Sequence, residues 1–208
     1  LTIVSNATGD YEAACVVLGR TGGTTAGSNT IVTDNDVLGR LIFTAADGVD
    51  MRATPAEIRS SVDDSSPAAD AIAGNLEFYT NDGSGVAPTS RLIIAPNGSV
   101  GIGTTAPQSL LHVNGPADGT GYLKITDSVT GAGGGDGMRL GYNSGELRLQ
   151  NFENSDIAFF LQTTERVTFK SDGNVGIGTT APAGALHVRK TTANQPFAIF
   201  EDTGTNSN

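Results

Sequence analysis

The residues able to do chemistry are few, and their spacing decides what they can do. His112 and His187 stand at matching places, each between a Leu and a Val. On a strand, Leu111 and Val113 would share one face and the histidine would point from the other. Three such imidazoles meeting on a threefold axis would hold a metal. A His-x-His pair is absent, however, and a half-exposed, hydrogen-bonded histidine is the plainer reading. Asp34, Asp36, Asp47, Asp50, Asp63 and Asp64 lack the alternating Asp-x-Asp-x-Asp-Gly order of a calcium loop and read as turn carboxylates. GAGGGDG, from Gly131 to Gly137, lacks the Lys-Ser/Thr ending of a phosphate loop and leads into a strand pattern. Cys15 lies in the apolar run AACVVLG with no histidine near it, the setting of a small buried hydrophobe. Glycan cleavage needs two carboxylates across a groove. Glu57, Asp63, Glu77 and Asp82 are the candidates, with Phe43, Phe78 and Tyr79 as sugar-stacking surfaces, but no spacing selects a pair. No catalytic residue, metal ligand or cofactor is expected, and the chain does not read as an enzyme.

What the sequence does repeat is backbone architecture. RLIIAPNGSVGIGTTAPQSLLHV, Arg91 to Val113, returns 75 residues later as RVTFKSDGNVGIGTTAPAGALHV, Arg166 to Val188, with 13 of 23 positions identical and no gap. Repeats of this kind build fibres, solenoids and stalks, whose units bury themselves against neighbours. Asn97-Gly98 and Asp172-Gly173 sit between alternating segments and predict two-residue type I′ hairpins. That register sets Phe169 and Val167 over Gly176 and Gly178, and Ile94 and Leu92 over Gly101 and Gly103. Val100, Ile102, Ala95 and Ile93 would then make the opposite face equally apolar, so both faces would need cover. Pro96 would weaken the first hairpin by removing a donor. TTAP suits one helical turn, with Pro107 or Pro182 at its first position, before LHV resumes a strand. The structural positions of the repeat are therefore Asn97, Gly98, Val100, Gly101, Ile102, Gly103, Pro107 and His112, and Asp172, Gly173, Val175, Gly176, Ile177, Gly178, Pro182 and His187.

Composition leaves little for a private core. The chain of 208 residues has no Trp, 8 Phe, 4 Tyr and 2 Met against 28 Gly, so partner chains are expected to supply burial. A net charge of −10 offers no basic face for nucleic acid and disfavours anionic membrane surfaces. No run of about 20 apolar residues occurs, so no membrane insertion is expected.

Upstream segments also echo. LTIVSN at Leu1 resembles LKITDS at Leu123, and VVLGRTGG near Val16 resembles MRLGYNSG near Met138. The expected modules are residues 1–122, with an insertion at about 36–89, then 123–197, with a further module starting at 198–208. LGRLIF, MRATPAEIRSSVDD and GNLEFYT in the insertion read as three strands; AEIRSSV also fits a helical turn, but its neighbours favour strand. The chain opens on Leu1 and closes on FEDTGTNSN, so a piece of a longer protein is expected.

LGRLIF, GNLEFYT, SRLIIAPNGSVGIGTTAP and LHV together resemble the repeated shaft segments of bacteriophage tail fibres and related receptor-binding appendages. In such proteins these modules commonly precede an endosialidase-type intramolecular chaperone domain, which is not seen in this sequence. The resemblance implies an all-β, elongated, repeat-built homotrimeric fibre of short strands and tight hairpins, as an interleaved β-helix or a β-prism. It implies a virion location, extracellular after release, with other tail or fibre proteins as partners. A host cell-surface glycan or protein would be reached through the longer polypeptide. Two other readings stay open: a binding module carried by residues 36–89, and a glycan- or protein-binding module of a bacterial surface adhesin or extracellular filament. A two-layer sandwich also remains open as the way to cover the hairpins.

Overall fold

The computed structural model describes residues 16–25, 27–85, 87–116 and 120–190. Cys15, the opening LTIVSN and the segment from 191 onward lie outside the described residues. The fold is all-β, and no helix occurs among the described residues. It divides into two compact units, Leu1–Gly121 and Tyr122–Asn208.

The first unit is one six-stranded sheet in sequence order: β1 (Val37–Ala45), β2 (Ala53–Val62), β3 (Gly74–Thr80), β4 (Thr89–Ile94), β5 (Val100–Ile102) and β6 (Leu111–Val113). All neighbours are antiparallel except β5 and β6, which run parallel. AEIRSSV lies within β2, as strand. Residues 36–89, read from the sequence as an insertion, include β1–β3, which continue the sheet that β4 begins.

β7 (Thr120–Ile125) crosses the unit boundary and opens a three-stranded sheet with β8 (Met138–Asn143) and β9 (Glu146–Asn151). The second unit closes with β10 (Ile157–Leu161), β11 (Thr164–Phe169), β12 (Val175–Ile177) and β13 (Leu186–Val188), a four-stranded sheet in that order. The strand expected at Val16 is absent, and Val17 stands 81% exposed. Residues 16–20 join no ladder, although Leu18 lies against Gly39 of the edge strand β1.

Strand pairing overturns the predicted hairpin register. Phe169 pairs with Val175, Thr168 with Gly176 and Val167 with Ile177, one residue off the expected alignment. The Lys170 amide donates to the Asn174 carbonyl at 2.8 Å and the Gly173 amide donates to the Lys170 carbonyl at 2.9 Å. Only Gly173 adopts positive φ, at 90°; Asp172 does not. This is a three-residue loop, a type I turn followed by a left-handed glycine that makes a bulge, and not type I′. The first copy matches: Ala95 donates to Ser99, Gly98 to Ala95, and Gly98 has φ 81°. Pro96 thus sits at the first central turn position, which favours proline and needs no donor, so it does not loosen the hairpin.

A shift of one residue moves a whole strand's side chains to the other face. The faces are therefore unlike, not both apolar. Leu92, Ile94, Val100, Ile102, Leu111 and Val113 share one face, and Val167, Phe169, Val175, Ile177, Leu186 and Val188 share its counterpart. On the opposite face, Ile93 and Thr168 lie across from Gly101 and Gly176.

The repeated block is also longer than the repeated string. β10 pairs with β11 as β3 pairs with β4, so Ile157 and Phe159 occupy the places of Leu76 and Phe78. Both pairs carry a bulge at the same point, after Phe78 and after Phe159.

Gly98→Ala and Gly173→Ala should each cost about 1–2 kcal/mol, the price of a left-handed non-glycine residue. Asp172→Gly, at a position with negative φ, should be destabilising by about 0.5–1 kcal/mol. Urea unfolding checks both. A gain in stability for Asp172→Gly would restore the two-residue turn.

Candidate functional site

Each repeat hairpin runs into an elbow that returns the chain parallel to itself within eight residues. The expected helical turn is not formed; residues 103–110 are a series of bends. Thr104 and Thr179 hydroxyls accept the amides of Ala106 and Ala181 at 3.2 and 3.3 Å, which bends the chain without helical bonding. Pro107 and Pro182 follow, half-buried. The histidines then clamp the elbow: His112 Nδ1 accepts the Gln108 amide at 3.3 Å and His187 Nδ1 accepts the Ala183 amide at 3.2 Å. Both imidazoles stand on the polar face, beside Gly101 and Gly176.

The repeat glycines are required by close approach. A Cβ on Gly101 would lie 2.5 Å from the Thr104 carbonyl oxygen and 2.9 Å from Ile93 Cγ2. At Gly176 it would strike the Thr179 carbonyl and lie 2.9 Å from Thr168 Cγ2. Gly103 and Gly178 have φ 74° and 71°, and their open side is filled by the Asn114 and Arg189 carbonyls. The glycines are thus covered by elbow backbone and one methyl, not by Phe169, Val167, Ile94 or Leu92.

The other face is left mostly open within the described chain, with Leu18 lying over Gly39. Val32, Val62 and Ile93 are the buried hydrophobic residues among those described. Leu41, Phe43, Leu76, Phe78, Ile94, Ile102, Leu111 and Val113 are exposed on one face of the first sheet, and Phe159, Phe169, Ile177 and Leu186 on the matching face of the four-stranded sheet. Leu140, Tyr142, Leu147 and Leu149 do the same on the three-stranded sheet. Contiguous exposed apolar surface of this extent marks an interaction site.

The polar face of the first sheet satisfies itself. Glu57 is 1% exposed and receives Arg40 through Nε at 2.8 Å and Nη2 at 2.5 Å, and Arg59 Nε at 2.5 Å. Arg59 also stacks on Tyr79, 4.2 Å from the ring centroid. The hydrogen bond from Arg40, then those from Arg59, hold Glu57 down at about pKa 2 against the desolvation that opposes it. Glu57 is therefore a fixed carboxylate rather than a proton donor. Burial first, then Glu77, raises the Tyr79 phenol. Phe43 and Phe78 share the apolar face while Tyr79 stands on the other, so the three aromatics form no common platform.

The remaining candidates are spent on turns. Asp36 pairs with Arg20 at 2.7 Å, Asp47 accepts the Val49 and Asp50 amides, and Asp50 accepts the Arg52 amide. Asp34 accepts the Asp64 amide, and Asp64 accepts those of Ser66 and Ala73. Asp82 is bonded by Ser84, which lowers its pKa, and Asp63 is exposed. In the Gly131–Gly137 loop, Asp136 accepts the Gly133 amide before β8 begins. No cluster of three or more metal-ligating side chains occurs among the described residues.

The sequence matches no family model and no curated protein. Among solved structures, the chain is similar to the carboxy-terminal domain of the bacteriophage T5 L-shaped tail fibre with its intramolecular chaperone domain. The TM-score is 0.48 and the identity 12%, covering 98% of this chain and 69% of that one. It is also similar to the carboxy-terminal domain of the bacteriophage T5 L-shaped tail fibre, with TM-score 0.42 and 10% identity, covering 99% of each chain.

Glu57→Gln leaves two guanidinium groups without their buried carboxylate and should cost about 3 kcal/mol at pH 7. Because the folded pKa is depressed, the Glu57 contribution is present above its free value of 4.5 and is lost as pH falls through about 2. Urea unfolding at pH 7 and pH 3 checks this. The gap between wild type and Glu57→Gln should narrow at pH 3, and an unchanged gap would contradict it.

Proposed function

We propose that this chain is a shaft segment of a phage tail fibre or tail appendage. It works as a homotrimer built into the virion, joins other tail or fibre proteins, and supports host recognition and adsorption. The observation that carries the reading is the sorting of the repeat: both copies gather their large apolar side chains on one face and leave it open. Covering a half-exposed Leu, Ile or Phe is worth about 1 kcal/mol. With fourteen such side chains exposed on the three sheets, association supplies free energy on the scale of folding itself. The polar faces of the first and four-stranded sheets are already satisfied by ion pairs and elbow backbone, so the partner belongs on their apolar side.

Three copies fit this better than one partner of another kind, because an identical chain brings the same apolar rows at the same repeat spacing. The resemblance of VGIGTTAP and LHV to tail-fibre shafts supports the threefold count. On this reading residues 1–122 and 123–197 are successive shaft modules, and 198–208 begins a third. The role is mechanical: spacing and position are transmitted, and no reaction is performed.

Light scattering after size exclusion should give three times the 21.2 kDa chain mass. Phe169→Glu and Ile102→Glu, each placing a charge on the apolar face, should abolish that species. A compact monomer, or a trimer that tolerates both substitutions, would overturn the reading.

A further inference from the structure

The polar face of the three-stranded sheet differs from that of the first sheet: Arg148 pairs with Glu146, but Arg139 and Lys124 are held against aromatic rings. The Arg139 guanidinium lies 4.0 Å from the centroid of Tyr122 and 4.8 Å from that of Phe152. Lys124 Nζ lies 5.8 Å from the same Phe152 ring and donates to the Gly133 carbonyl. Among the described residues Arg139 donates to Gln150 Oε1, through Nε at 3.1 Å and Nη2 at 2.9 Å. Two cations therefore share one ring, and neither forms an ion pair with a carboxylate among the described residues.

The carboxylates around them are occupied. Asp136 accepts the Gly133 amide, Glu153 the Gly137 amide, and Glu146 is bonded to Arg148 at 2.6 Å. The Tyr122 hydroxyl is buried, with Arg148 beside it. Stacking fixes the Arg139 plane, while Gln150 leaves the Nη1 edge of the fork without an acceptor. A fixed, partly unused guanidinium edge matches a carboxylate in geometry and in charge, which a lysine alone does not.

We propose that this face, built on Arg139, Lys124, Tyr122 and Phe152, is a binding site for a carboxylate-bearing sugar. The carboxylate lies on the Nη1 edge of Arg139 within reach of Lys124, and a C–H face of the sugar ring meets the aromatic pair. A net charge of −10 on the whole chain argues against a polyanion such as nucleic acid, while one or two carboxylates are matched by the two local cations. The site stands on this sheet alone and does not depend on the fibre reading.

The test is calorimetric titration of the full 208-residue chain, in its native assembly, with trigalacturonate and with sialyllactose. The methyl ester of each serves as a neutral control of the same shape. Saturable binding of at least one acid is expected, about tenfold weaker for its ester and weaker as salt rises. Arg139→Lys keeps the charge but loses the fork, and should weaken binding about tenfold while light scattering stays unchanged. Lys124→Gln, which leaves the Arg139 stack intact, should weaken it and reduce the salt dependence. No saturable binding to either acid, equal binding of acid and ester, or wild-type binding by both variants would overturn the site.

Discussion

Everything on the repeat depends on a hydrogen bond: the Gly173 amide to the Lys170 carbonyl, and its twin from Gly98 to Ala95. That bond closes a type I turn, and the next residue must then enter the left-handed region to return the strand. A glycine there gives a loop of three residues instead of two. The odd count places Val100 and Ile102 on the same side as Leu92 and Ile94, where a two-residue loop would have set them on opposite sides. One face becomes apolar, and the other becomes thin enough for the elbow to lie against it. The glycines at 101 and 176 are consequences of the same choice, since they face the elbow carbonyls.

A sheet sorted in this way is stable only on its polar side. There each sheet has its own solution. The first uses Glu57 between Arg40 and Arg59, the four-stranded sheet uses Thr168 against Gly176, and the three-stranded sheet stacks Arg139 between two rings. None of these reaches around to the apolar side. Among the described residues the largest fully buried side chains are Glu57, Val62 and Thr168, an unusual set in which two of three are polar. Ordinarily aliphatic and aromatic side chains fill that role. Here those residues stand exposed on one face of each sheet.

The strands themselves were legible because alternation and Gly-rich turns speak locally. LGRLIF, AEIRSSV and GNLEFYT each fell inside β1, β2 and β3. The turn type was not, because Asn-Gly and Asp-Gly suit both a type I′ pair and a type I turn with its trailing glycine. Pro96 was the available signal: proline belongs at the first central position of type I, and a type I′ turn would require positive φ from Asn97, which it does not show. VVLG near Val16 failed for a different reason, since a pattern can announce a strand but not the edge it would pair with. The Arg40–Glu57–Arg59 group was hidden by distance, its members joining only when β1 and β2 pair. The parallel return at LHV was equally hidden, since nothing local distinguishes it from another antiparallel strand.

The differences between the two copies say what the block requires. Ile94 becomes Phe169, Leu92 becomes Val167 and Asn97 becomes Asp172, so face residues change size freely and the turn accepts either carbonyl side chain. Both Asn97 and Asp172 use Oδ1 to take the amide two residues on, at 2.9 Å in each case. Ile93 becomes Thr168, apolar to polar, yet both are β-branched and both bring Cγ2 to 2.9 Å from where a Cβ on the opposite glycine would stand. What is held constant at that position is a methyl group at a fixed place, not hydrophobicity. Backbone approach therefore sets the invariant residues of the block, and the apolar face is free to vary in shape while keeping its apolar character. A block with that division can be written more than once in a chain, each copy with its own upstream strands, as β3–β6 and β10–β13 are here.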